Sequence, residues 1–450
     1  MLFSSLTFLF YFLPAVLLIH RLLPQKGQNL FLLLASLFFY GWGELRYLPL
    51  IMALLAVNYS LSRFLAPQNG KRKKALMALG TAVNIGVLAF YKYGAFFMET
   101  VGLSAYAPRV SLPLGISFFT FQTLGYLIDI YRGQEAPEKN FVDFGCFIML
   151  FPQLIAGPIL RYGDLKSALH ERRRPAAPAL ERGMALFLLG LGAKVLLANP
   201  LGEIWEELHL AQGMGLAWMA LIGFGLQIYF DFFGYSLMAM GIGGMLGFPI
   251  AQNFDRPYTA VSVTDFWRRW HITLQRWFRD YVYIPLGGSR CGKGRTALNL
   301  LIVWLLTGLW HGASWNFVLW GLYDFALLAI EKFFLKSFVD RHKIISRIAT
   351  LFFVLLGWAI FAMDDLAALP GFLARLFSFS QGGEILFWLR QYGVTLLLAV
   401  LCVLPPMPDF CKRIAQKRPA LRTVGLLLML VLSLSRLINS SYNPFLYFRF

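Results

Sequence analysis

The chain has 450 residues, 58% of them hydrophobic and only 14% charged, with a mean hydropathy of +0.61. That excess of apolar surface excludes a soluble globular domain, and repeated apolar runs of membrane-spanning length make the chain an all-α polytopic membrane protein. The net charge of +18 does not imply nucleic acid, because the basic residues sit in loops between apolar helices and first report topology.

In chain order, the amino terminus MLFSSLTFLFYFLPAVLLIHRLLP lacks a basic leader and a small-residue cleavage site, and reads as a retained first helix. Basic loops then alternate with neutral or acidic ones. Arg21 and Lys26, NGKRKK at 69–74, ERRR at 171–174, and the stretches 256–295, 332–347 and 412–422 are basic. Between them, 101–107 is neutral, while IWEELHL at 204–210 and MDDL at 363–366 carry acids. Placing the basic loops in the cytoplasm puts the amino terminus outside. Two apolar, proline-bearing segments, 112–130 and 141–159, separate the neutral loop from ERRR. Two full crossings there would put ERRR outside, so one segment is expected to be re-entrant or tilted. About eleven transmembrane helices are expected, with re-entrant and interfacial helices around a central funnel. They form one transmembrane domain over 1–450, with peripheral helices in 1–110, a core in 111–335 and further helices in 336–450.

Three stretches carry candidate chemistry. In QIYFDFFGYS, residues Gln227, Asp231 and Tyr235 recur every fourth position and share one helical face. Asp231 then either lines a cavity or ties helices together as a structural polar knot. The stretch 265–285, DFWRRWHITLQRWFRDYVYIP, places Phe266, Trp267, Trp270, Leu274, Trp277, Phe278 and Tyr281 on one arc. Arg268, Arg269, Arg276 and Arg279 fall on the other, as in a basic amphipathic helix at a membrane surface. His271 lies at the edge of the apolar arc. The arginines suit lipid headgroups, and equally a polyanionic donor such as the phosphates of coenzyme A. PLGGSRCGKGR, which follows, is no P-loop, so ATP is not implied.

The third stretch, LTGLWHGASWNFVLWGL at 306–322, places His311 at a small-residue break. The apolar run before it, 296–310, spans only about 22 Å of helix against a hydrocarbon core of about 30 Å, so His311 is expected to stop inside the membrane. Such a group is a functional candidate by default; a carbonyl-satisfied histidine in a packed bundle is the plain alternative. Trp310 and Trp315 are expected to pack the cavity, with Tyr235 and Asp280 as further supports. The four cysteines (Cys146, Cys291, Cys402 and Cys411) show no CxxC spacing and imply no disulfide framework. With no HExxH and no Cys/His cluster, a metal site is not expected, and with no G-x-S-x-G elbow, neither is a serine triad. His20, His170, His209 and His342 sit at a helix end or in loops and read as structural. The aromatic tail with Arg449 suits an interface.

Taken together, LPLGISFFTFQTLGYLIDIYRG, FPQLIAGPILRY, QIYFDFFGYS, NFDRPY, FWRRWHITLQRWFRDYVYIPLGG, LTGLWHGASWNFVLWGL and FLYFRF resemble the membrane-bound O-acyltransferase (MBOAT) family, and within it the bacterial polysaccharide (alginate-type) O-acetylation branch. The resemblance implies an acyltransferase of a bacterial inner (plasma) membrane, in which cytoplasmic and extracytoplasmic funnels meet at a membrane-embedded histidine. His311 corresponds to that residue and His271 to the second family histidine. It implies no tightly bound cofactor, an acyl donor such as acetyl-CoA or an acyl carrier protein thioester, and membrane lipid as the surroundings. It also implies an extracytoplasmic SGNH-type acetyltransferase or polysaccharide export complex as partner. Departures are Phe233 and Leu237, where the family usually has a serine and a second acid, and Tyr323–Asp324, where it often has tyrosine–histidine. The competing readings are D-alanyl transfer to teichoic acid, a proton-coupled transporter and a non-catalytic membrane scaffold.

Overall fold

Among the described residues, helices carry the long apolar runs and no β-strand occurs. The computed structural model describes residues 1–155, 157–171, 173–379, 384–439 and 446. The stretch 364–384, read from sequence as a loop with an interfacial helix, has its SQGG at 380–383 outside the described residues, as has most of the aromatic tail, including Arg449. The chain folds into two compact units, Met1–Phe187 with Ser236–Ala251, and Leu188–Tyr235 with Gln252–Phe450.

The first unit contains α1 (Leu13–Leu22), α2 (Gln25–Glu44), α3 (Leu48–Leu65), α4 (Gly70–Leu88), α5 (Ile116–Tyr131), α6 (Phe141–Met149) and α7 (Tyr162–His170). It also holds the start of α8 (Ala177–Gly192). Its core is aromatic: the rings of Phe8 and Phe39 lie 5.9 Å apart, and those of Phe12 and Phe151 5.3 Å. The nine residues of α6 make only about 13 Å of helix, well short of a crossing. The chain turns at Leu150, where Phe151 N–H donates to Ser36 Oγ at 3.1 Å and the Gln153 amide donates to the Phe147 carbonyl. Of the two segments in question, 141–159 is thus the broken one, and its described residues from Phe144 to Leu160 are buried in protein.

The second unit contains the end of α8, then α9 (Asn199–Leu208) and the first two-thirds of α10 (Met214–Leu246). After them come α11 (Val263–Arg269), α12 (Ile272–Phe278), α13 (Gly292–His311), α14 (Trp315–Ile330), α15 (Lys343–Ala362), α16 (Ile385–Val403) and α17 (Pro419–Asn439). Among the described residues, seven helical stretches are long and apolar enough to cross a membrane. One of them, Gln25–Leu65, has 41 residues, about 60 Å of helix, and is divided by a turn at Leu45–Tyr47. The histidine-bearing pair α13 and α14 is not among the seven.

These two helices form a close antiparallel hairpin because glycine faces glycine. A Cβ on Gly308 would sit 2.3 Å from the Phe317 carbonyl oxygen, and one on Gly321 2.5 Å from that of Trp304. A Cβ on Gly312, just after His311, would sit 2.1 Å from the Phe317 ring. Small residues here allow backbone approach that larger ones would forbid. Gly308→Val should therefore wedge the hairpin apart, lowering the thermal midpoint and the monodisperse yield in detergent by an overpacking penalty of about 1–3 kcal/mol. Gly371→Ala, with nothing within 4 Å of its new Cβ, should leave both unchanged.

Candidate active site

The basic segment does not form the single helix expected over 265–285. It divides into α11, α12 and a π-helical turn, Arg279–Tyr283. The break falls at His271, which takes a left-handed conformation with φ +47°. A β-carbon makes that conformation unfavourable by roughly 1–2 kcal/mol, so the surroundings must impose it. They do so through Asn253, which is 1% exposed. Its carbonyl accepts from Ile272 N–H at 2.9 Å, and its side-chain oxygen accepts from Thr273 N–H at 3.2 Å and Thr273 Oγ1–H at 2.7 Å. Two residues on, Asp255 N–H donates to the Arg269 carbonyl at 3.0 Å. The NFDRPY segment thus supplies the groups that both helix ends at the break would otherwise lack.

The expected two-sided character survives the break. Phe266, Trp267, Trp270, Leu274, Trp277, Phe278 and Tyr281 are buried, whereas Arg268 and Arg279 are exposed. His271 is not at a margin: it is 1% exposed, with its ring 4.7 Å from Phe232 and 5.5 Å from Trp310. Burial lowers its imidazole from an ordinary value of 6.5 to about 3.

His311 is the last residue of α13 and is 6% exposed. Its ring meets Trp310 at 4.8 Å, Trp320 at 5.1 Å and Phe361 at 5.2 Å, each edge-to-face. Trp310 therefore touches both histidine rings, so the structure brings His271, Trp310 and His311 into one cluster. Trp315 is not part of the wall. It is 54% exposed, and Trp320, five residues along α14, takes the expected place. Behind Trp320 lie Trp267, Trp304 and Trp358, at 5.5, 6.0 and 6.2 Å. Trp267 Nε1–H donates to buried Asp324 at 3.1 Å, joining α11 to α14.

Asp231 is buried but is engaged elsewhere. Its Oδ1 pairs with Lys194 Nζ at 2.8 Å, and its Oδ2 accepts from Leu446 N–H at 2.8 Å. Among the described residues these, one ion pair and one hydrogen bond, are its polar partners, and the contact with His311 that would orient the imidazole is not made. Lys194 reaches it from a π-helical turn, Ala193–Ala198, that packs on Gly234. A Cβ at Gly234 would stand 2.7 Å from the Gly190 carbonyl oxygen. The same helix still serves the site through the next residue, Phe232. Tyr235, one turn beyond Asp231, is buried.

The four arginines differ in their surroundings. Arg269 pairs with Asp265 at 2.9 Å, and Arg279 with Asp280 at 2.7 Å, so Asp280 neutralises a neighbour. Arg268 is exposed and forms no ion pair among the described residues; Arg276 is half-buried. Metal-ligand chemistry is grouped in the first unit, where Glu138, Asp143 and His170 present atoms within 4.8 Å of one another. Hydrogen bonds already engage these groups: Glu138 Oε2 accepts from Tyr162 at 2.6 Å and lies 3.0 Å from His170 Nε2, and Asp143 accepts from Asn29 at 2.6 Å.

Sequence reasoning passed over Asn253, Lys194 and Trp320. The residue types give little signal: Asn253 caps a helix across a sequence gap of twenty, and Lys194 lies inside an apolar run.

The family model described as MBOAT, membrane-bound O-acyltransferase family, matches residues 137–363. The chain is 36% identical to the probable alginate O-acetylase AlgI of Pseudomonas putida, over 100% of both chains. It is 30% identical to the peptidoglycan O-acetyltransferase of Helicobacter pylori, over 100% of this chain and 98% of that one. It is 27% identical to the teichoic acid D-alanyltransferase of Lacticaseibacillus rhamnosus, over 64% and 74% respectively.

Two outcomes follow from this geometry. Unfolded His271 takes up a proton that the folded protein refuses, so folding stability falls as pH drops below about 6.5, by up to about 1.4 kcal/mol per pH unit. Thermal melts from pH 7.5 to 5 should show that slope, and His271→Asn should flatten it. Asp231→Asn removes the carboxylate paired with buried Lys194 and should cost about 3–5 kcal/mol, seen as a lower midpoint. Lys194→Met combined with Asp231→Leu should recover most of it.

Proposed function

Since the chain belongs to the membrane-bound O-acyltransferase family, we propose that it moves an acetyl group from a cytoplasmic thioester, acetyl-CoA or an acyl carrier protein, through the bilayer for O-acetylation of an extracellular polysaccharide. It is a multi-pass membrane O-acyltransferase of the polysaccharide-modifying branch. The proposal adds the donor, the bacterial inner membrane, the handover to an extracytoplasmic partner with a serine nucleophile, and the residues that act.

One observation carries the assignment of roles: His311 is buried where α13 ends at a break, and its neighbour Trp310 also touches His271. A general base must be neutral to accept a proton. Two imidazoles buried against Trp310, Trp320, Phe361 and Phe232 suit that requirement. His311 removes the proton of the acceptor hydroxyl as its oxygen attacks the thioester carbonyl. The tetrahedral intermediate collapses, the carbon–sulfur bond breaks and the thiolate leaves. The proton on His311 passes to that sulfur, giving an acetyl ester and a free thiol. His271 lies on the buried side of α11 and α12, and the donor's phosphates would approach exposed Arg268 on the opposite face. The aromatic wall keeps out water, which would otherwise hydrolyse the thioester.

The test is transfer of radiolabel from acetyl-CoA in inside-out vesicles, supplied in parallel with an acetylated carrier protein. Wild type should pass label to luminal or protein-bound material, and His311→Ala should lose about 10²–10⁴-fold of that rate while keeping its thermal midpoint. Equal transfer by the two proteins would make His311 structural and overturn the assignment.

A further inference from the structure

Acyl transfer leaves one feature of the first unit unused. Where α1 ends, a cavity of about 350 Å³ opens, within the range of about 300–1,000 Å³ typical of ligand sites. Its walls come from the end of α1, the start of α8, the loop before α8 and the end of α10. One side carries His20, Arg21 and Arg173, and the other is apolar, with Leu17, Leu180 and Met245.

The polar side is built and held. Gln28 donates to the carbonyls of His20 at 3.2 Å and Arg173 at 3.0 Å, and accepts from Arg173 N–H at 3.1 Å. The guanidinium of Arg173 lies 4.4 Å over the Phe248 ring and donates to Asn29 Oδ1 and the Ala168 carbonyl. Two groups remain over. His20, 2% exposed, has its Nε2 buried without a hydrogen-bond partner, and so does Nε of Arg173. Leaving such a group unsatisfied costs about 1–3 kcal/mol. No carboxylate lines the cavity; the nearby Asp143 reaches Arg173 through Asn29.

A ligand that completes this site needs acceptor oxygens with negative charge at one end and hydrocarbon at the other. We propose that the cavity binds a phospholipid with an anionic headgroup. Its phosphate lies between Arg21 and the buried edges of His20 and Arg173, and its chains run along Leu17, Leu180 and Met245. The loops carrying Arg21 and Arg173 are basic, the side on which anionic lipids concentrate. Bound there, the lipid ties the end of α1 to the start of α8.

The test uses the full chain, purified and stripped of lipid, with native mass spectrometry and thermal melts. The probes are phosphatidylglycerol, phosphatidylcholine and inorganic phosphate. Phosphatidylglycerol should be retained and raise the melting temperature, phosphatidylcholine should do neither, and inorganic phosphate should give little of the shift. Arg21→Ala and His20→Leu, each checked for an unchanged lipid-free melt, should weaken retention roughly fivefold. Equal retention of the two lipids, or full retention by both variants, would overturn the proposal. A full shift from inorganic phosphate alone would also overturn it, in favour of a free-anion site. None of these residues belongs to the histidine cluster, so a negative result leaves acyl transfer standing.

Discussion

A helix that breaks within a packed apolar core frees backbone groups that must find partners there, and this constraint shapes the candidate site as it does the first unit. At the Trp270–His271 break, Asn253 and Asp255 take up groups that α11 and α12 release. At the Met149–Phe151 break, Ser36 and Gln153 do the same. The conformation of His271 follows from these bonds. Asn253 sets where α12 begins, and the residue before that start is then forced to φ +47°. A histidine held so is fixed in direction by the backbone, before any partner of its ring is considered.

The buried charges obey a related rule. An ionised carboxylate in the core is tolerable only when paired and hydrogen-bonded. Asp231 meets this with Lys194 on one oxygen and Leu446 N–H on the other. The lysine reaches it because Gly234 lacks a side chain. The aspartate, the glycine and the lysine thus make one device, which anchors the chain near its carboxyl end to the helix that bears Phe232. This favours the structural-knot reading of Asp231 over the cavity reading, and leaves its helix with an indirect part in the site.

Legibility in the sequence followed the range of the physics. The all-α membrane class and a broken segment somewhere in 112–159 rest on composition and loop charge, which are local or additive quantities. Run length served His311 less well: α13 starts at Gly292, so its 20 residues make about 30 Å of helix and not the shorter run expected. The two faces of 265–285 were legible because both short helices keep the same apolar arc. The break between them was not, since it depends on Asn253, whose side chain meets the segment only in three dimensions. Trp315 and Trp320 show the same limit. Both are tryptophans of one helix, and nothing in their spacing from His311 says which of them turns inward.

The enclosure of the histidines decides what chemistry they favour. In water an imidazole near neutrality is divided between charged and uncharged forms, and any activated acyl group nearby is open to hydrolysis. Trp310, Trp320, Phe361 and Phe232 enclose the two rings, and for His271 the loss of solvent that would stabilise the cation favours the neutral form. The same rings exclude the competing nucleophile. The donor proposed above is charged, and in so apolar a space its charge would stay at the rim while the thioester alone reached inside. Exposed Arg268, on the outer face of the helix whose inner face packs Trp267 and Trp270, stands where that division would fall under the proposal.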